Sequence, residues 1–124
     1  MTRSLLVLTA VLEAATGVGL LAMPVMVVSL LLGASLESTG AFVIARVTGA
    51  AMLSLGLACW LARDDGLTRP GRAIVTAMLV YNVVVAAVLA YAGAMLGLTG
   101  IGLWPAAGVH TALAVWCVVS LRSA

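Results

Sequence analysis

A chain of 124 residues with 8% charged and 65% hydrophobic side chains has too little polar surface to coat a water-soluble globule, which carries about 25% charged residues. The net charge of +2 rests on arginines scattered between apolar runs, with no lysine, which excludes the clustered basic face of a nucleic-acid binder. Lipid is the solvent that fits a mean hydropathy of +1.28, and the expected fold class is all-α, a four-transmembrane-helix bundle forming one domain over residues 1–124.

The first apolar stretch runs over residues 4–23, long enough to cross about 30 Å of hydrocarbon. Glu13 interrupts it before any small-residue cleavage site, and hydrophobicity resumes to Leu32, so it reads as a membrane helix and not as a removed leader. Pro24 ends or kinks it. Residues 24–33 form a second apolar piece too short to span, either a kinked continuation of the first helix or a short helix at the interface. Ser38 or Thr39 caps the next helix, expected over 40–62. Arg63-Asp64-Asp65-Gly66 is an aqueous turn, and Pro70 suits the first turn of a helix over 70–92. Gly93, Gly97, Gly100 and Gly102 break the following connection, and Pro105 lies in the first turn of a last helix over 104–121. No internal repeat relates the two hairpins.

The arginines set an orientation. With alternating helices, Arg3, Arg63, Arg69, Arg72 and Arg122 share one side, whereas the opposite loops carry only Glu37. Arginine-rich short loops stay in the cytoplasm, so both termini are expected inside a bacterial inner membrane. Trp60 and Trp116 near the inner ends, with Tyr91 and Trp104 near the outer ends, read as interfacial belts.

Each expected span carries one strongly polar residue within the hydrocarbon: Glu13, Arg46, Asn82 and His110. Such residues are costly in lipid, turn inward and pair. Glu13 and Asn82 fall near the midplane, and Arg46 and His110 roughly 8–9 Å below the outer end. Glu13 and Arg46 are the natural ion pair, and small residues beside them, Gly17 and Gly49, let their helices approach. Tyr81 next to Asn82 adds a phenol; one of that pair is expected to face the bundle, and the other need not. The cluster has two readings: packing glue between helices, or a site for a proton, an ion or the polar head of an amphiphile.

His110 is the only histidine, and neither cysteine lies near it in the expected topology, so no metal or haem site is expected. Cys59 and Cys117 read as small apolar packing residues. No nucleophile–base pair, paired carboxylates or phosphate-cradling loop is present. The chain is therefore expected to hold no cofactor and not to be an enzyme.

Two resemblances attach to these residues. Glu13 in the first helix, followed by Thr16-Gly17, looks like the first helix of the small multidrug resistance transporters, whose glutamate binds protons and cationic drugs in turn. The chain departs from that pattern in lacking a glycine-rich kink in the third helix and in carrying Arg46. More of the chain resembles small bacterial four-helix membrane proteins of the DUF4345 and DoxX-like kind. That likeness rests on Glu13-x-x-Thr16-Gly17, Pro24, Ala45-Arg46-Val47-Thr48-Gly49 through Leu55-Gly56, Tyr81-Asn82, and Trp104-Pro105 with His110. It implies a four-helix bundle and transfers no activity.

Three functions fit. The leading expectation is an accessory or scaffold subunit, or a homo-oligomer, motivated by small loops and by the stripes Ala15-x-x-x-Gly19, Ala45-x-x-x-Gly49 and Gly93-x-x-x-Gly97. The alternatives are a binder or carrier of a small apolar or amphiphilic molecule, and a proton- or ion-coupled transporter using Glu13.

Overall fold

The computed structural model describes residues 1–123. Its helices are α1 (Thr2–Ala22), α2 (Pro24–Leu32), α3 (Thr39–Ala62), α4 (Arg69–Ala94) and α5 (Leu103–Arg122). Among the described residues there is no strand. Four helices, α1, α3, α4 and α5, are long and apolar enough to cross a membrane. Large apolar side chains such as Val11, Ile44, Leu61, Val80 and Val115 are exposed along them. Apolar surface of that extent is what lipid covers, and the chain is a multi-pass membrane bundle.

The local signals act close to where the sequence puts them. Ser38 accepts a hydrogen bond from the Ala41 amide at 3.1 Å and starts α3. Thr68 caps α4, with Pro70 in its first turn where no amide hydrogen is needed. Gly93 does not end α4, which continues to Ala94; the chain turns instead at Gly97, with φ +69°.

Of the two expectations for residues 24–33, a kinked continuation of α1 or a separate short helix, the structure has the separate helix, α2. Met23 breaks the helix at φ −136° and ψ 59°. A Cβ at Gly19 would then meet the Val27 side chain at 3.1 Å. In one continuous helix residues eight apart are separated by about 12 Å along the axis, so α2 folds back over the end of α1. At its far end the Leu30 carbonyl accepts from the Gly102 amide at 2.9 Å. The α2 segment thus crosses the end of the bundle, from α1 to the loop before α5.

The spans pack as two antiparallel pairs, α1 with α3 and α4 with α5, with much thinner contact between the pairs. The α1–α3 seam is backbone against backbone. A Cβ on Gly17 would sit 2.7 Å from the Gly49 carbonyl oxygen, and one on Gly56 2.9 Å from the Ala10 carbonyl oxygen. Between the pairs, the half of the bundle nearest the termini is filled by an apolar core that includes Leu5, Leu6, Cys59, Val75 and Cys117. At that end Arg3 pairs with Asp64 at 2.9 Å, and Arg72 donates to the Leu121 carbonyl at 3.3 Å.

Candidate functional site

Beneath α2 the two helix pairs do not close. A cavity of about 480 Å³ lies between them, walled mostly by aliphatic side chains from all five helices, with Val27 and Leu31 of α2 at the end away from the termini. Its lining includes exposed Thr48 and Ala51 of α3 and exposed Val109 of α5, so the space is open on the flank that faces lipid. Volumes of roughly 300–1,000 Å³, mostly apolar with a few placed polar groups, are typical of small-molecule sites.

The polar groups stand at the deep end. Glu13, near the middle of α1, is only 2% exposed, and its Oε2 accepts a hydrogen bond from the Tyr81 hydroxyl at 2.9 Å. Asn82 is fully buried. Its Nδ2 donates to the Met78 carbonyl one turn earlier at 2.7 Å, and its Oδ1 lies 2.7 Å from His110 Nδ1. The Tyr81 and His110 rings meet edge to face, with centroids 5.7 Å apart. Glu13, Tyr81, His110 and Asn82 therefore form one connected set on α1, α4 and α5.

Both members of the Tyr81-Asn82 pair face inward, where the sequence requires only one of them to do so. Consecutive helical residues point about 100° apart. With α4 set in a corner of the bundle, Tyr81 reaches α1 while Asn82 reaches α5.

Arg46 is not part of the set, and the expected Glu13–Arg46 pair does not form. Arg46 is exposed. Its guanidinium lies over the Phe42 ring at 5.0 Å from the centroid, one turn nearer the start of α3. The stripe of α3 that meets α1 runs through Ala45, Gly49 and Gly56, and Arg46 lies about 60° around the helix from Gly49. It stands about 10 Å from the helix start, within reach of the membrane edge for a long side chain that extends outward along apolar surface. Pairing inside the bundle is unnecessary for it.

Two further polar residues, Thr16 and Thr48, stand in the cavity wall outside the set that the sequence singles out. A threonine in an apolar helix gives little signal, because its hydroxyl is satisfied by the carbonyl four residues back, as Thr16 is by Leu12 and Thr48 by Ile44, each at 2.9 Å. Among the described residues no group of three or more His, Cys, Asp or Glu side chains is gathered to hold a metal ion. No family model, curated protein or solved structure matches the chain.

Proposed function

We propose that this chain binds a small, largely apolar molecule within the bilayer and holds it between its two helix pairs, with the molecule's polar end against Glu13, Tyr81 and His110. The observation that carries this reading is the coincidence of an apolar cavity of about 480 Å³ with a buried, hydrogen-bonded polar set at its deep end. Packing alone needs no such space, and the open flank gives a molecule dissolved in lipid a way in.

The other two functional readings draw less support. Much of the small-residue stripes that motivate a scaffold is engaged inside the chain, Gly49 against α1, Gly19 against Val27, and Gly93 against Leu103 and Trp104, while Ala15 and Gly97 remain exposed. A proton-coupled transporter needs polar groups leading to both ends of the bundle. On the termini side of Glu13 the interior is the apolar core around Leu5, Leu6, Cys59 and Val75. The proposal includes a bacterial inner membrane with both termini in the cytoplasm, which the arginines grouped at the termini end support, and kinship with DUF4345 and DoxX-like proteins, which rests on the sequence pattern alone.

The test is mass spectrometry of small molecules retained by protein extracted in native lipid discs, comparing parent with Ala106→Phe, which places a ring in the cavity. The reading expects a molecule that accompanies the parent and is lost from the variant. Identical contents, with both proteins folded, would remove it.

A further inference from the structure

Arg3, Trp60 and Arg63 lie outside the cavity and take no part in the function proposed above. They stand at the termini end of the seam between α1 and α3, on a face where Leu8, Val11 and Trp60 are exposed. Two hollows open on this face. They share Val11 and Trp60, so they form one furrow. Away from the termini its shape follows from the close approach of the two helices. Ala10, Ala14 and Gly56 make the floor, where a Cβ on Gly56 would stand 2.9 Å from the Ala10 carbonyl oxygen. Exposed Val11, Leu53 and Leu57 form the rims. From Arg3 to Ala14 the helix rises about 16 Å, close to the half of a roughly 30 Å hydrocarbon core that one leaflet fills.

The charged end of the furrow is held in place. Asp64 bridges its two arginines, with Oδ1 2.9 Å from Arg3 Nε and Oδ2 3.4 Å from Arg63 Nε. The Arg63 guanidinium lies over the Trp60 ring, 4.2 Å from the centroid, and its Nη1 donates to the Trp60 carbonyl. One carboxylate between two guanidinium groups leaves one positive charge. Asp65, the other acid of the turn, pairs with neither arginine. Both terminal nitrogens of Arg3, and Nη2 of Arg63, have no hydrogen-bond partner among the described residues.

We propose that this furrow binds one anionic phospholipid of the leaflet at the termini end, with its phosphate on Arg3 and Arg63 and an acyl chain along the floor past Gly56. Guanidinium N–H groups meet phosphate oxygens in pairs, and anionic headgroups are drawn to arginines at the membrane surface. Trp60 stands at the level where an indole meets the headgroups. The floor of small residues leaves room for a chain that the rims flank. A second copy laid parallel on the same face would instead set arginines against arginines. The furrow shares no lining residue with the central cavity, so this site stands or falls separately from the function proposed above.

The experiment is native mass spectrometry of the full chain in micelles titrated with dioleoylphosphatidylglycerol or dioleoylphosphatidylcholine, with circular dichroism to show that each variant keeps its helices. The parent is expected to take one phosphatidylglycerol about tenfold tighter than phosphatidylcholine. Arg63→Gln is expected to lose most of that preference, and Arg3→Gln part of it. Arg69→Gln removes the same charge from the same end but outside the furrow, and is expected to keep the preference. Val11→Trp, at an exposed position, fills the furrow and is expected to weaken both lipids, whereas Ala106→Phe in the central cavity is expected to weaken neither. Equal binding of the two lipids would overturn the proposal. So would a loss in Arg69→Gln as large as in Arg63→Gln, which would mean diffuse attraction, or a loss in Ala106→Phe, which would put the lipid in the cavity. A dimer that excludes lipid and that Val11→Trp separates would overturn it by giving the furrow to a second copy.

Discussion

Leu6 and Leu55 both face the interior of the same bundle, yet their surroundings differ. Leu6 is completely buried in the core near the termini, whereas Leu55 borders the open space beneath α2. The two halves share helices and composition, so composition does not explain the contrast. In the filled half, small Cys59 and Cys117 stand among the leucines and let the two helix pairs meet. In the other half, α2 lies across the end of the bundle and is tied to both pairs, at Gly19 and at Gly102. A wedge of that kind holds the pairs apart. In water the hydrophobic effect would press such a gap shut, but lipid is as apolar as leucine and supplies little closing force. A space between membrane helices persists where the backbone path leaves one.

The strongest way to break the contrast is to destroy the seam on which both halves hang. Gly17→Leu forces a side chain into the Gly49 carbonyl and the Leu53 amide, each 2.7 Å from where its Cβ would sit, and neither backbone group can step aside. The cost is expected at about 3 kcal/mol or more, read as a collapse of the folded fraction in equilibrium unfolding in mixed micelles. Gly108→Ala supplies the control. Its Cβ meets nothing within 4 Å, and the change is expected to be neutral or to stabilise by up to about 1 kcal/mol through helix propensity. Equal losses for the two would mean that the seam does not hold the bundle together.

Truncating the two leucines sharpens the comparison. In a bilayer the transfer part of a Leu→Ala change is small, because the side chain leaves one apolar medium for another, and lost packing contacts remain. Leu6→Ala opens a void in a filled region and is expected to cost about 2 kcal/mol. Leu55→Ala enlarges a space that already exists and is expected to cost less than about 1 kcal/mol. The same unfolding measurement reads both. Similar losses would indicate that the cavity half is as tightly packed as the core.

Much of the scaffold can be read from the chain because the relevant quantities are local. A run's length and apolarity compare directly with the bilayer, and Ser38 and Pro70 mark helix starts by their own chemistry. The path of α2 is different. Pro24 announces a break but not its direction, which is set by contacts eight residues apart at Gly19–Val27 and more than seventy apart at Leu30–Gly102. The cavity follows from that path and has no signal of its own. Glu13, Tyr81, Asn82 and His110 stand out as polar residues among apolar ones. Which of them touch is decided by helix rotation: Tyr81 meets Glu13 and Asn82 meets His110 because α4 sits in a corner.

Arg46 is where that reading fails, and it gives the smallest expected effect. The assumption that a charge inside a span must turn inward holds at the midplane, where Glu13 obeys it. About 10 Å from the start of α3 a guanidinium has a second option, to lie along the helix toward the edge, as the Phe42 contact shows. Arg46→Leu is therefore expected to change stability by less than about 0.5 kcal/mol and to leave the small molecule retained in native lipid discs as it was. The same unfolding measurement and mass spectrometry check it. A loss of more than about 1 kcal/mol would mean that the exposed face of α3 is covered in the membrane by another chain that pairs with the arginine. The scaffold reading would then regain the ground that the glycine stripes have lost.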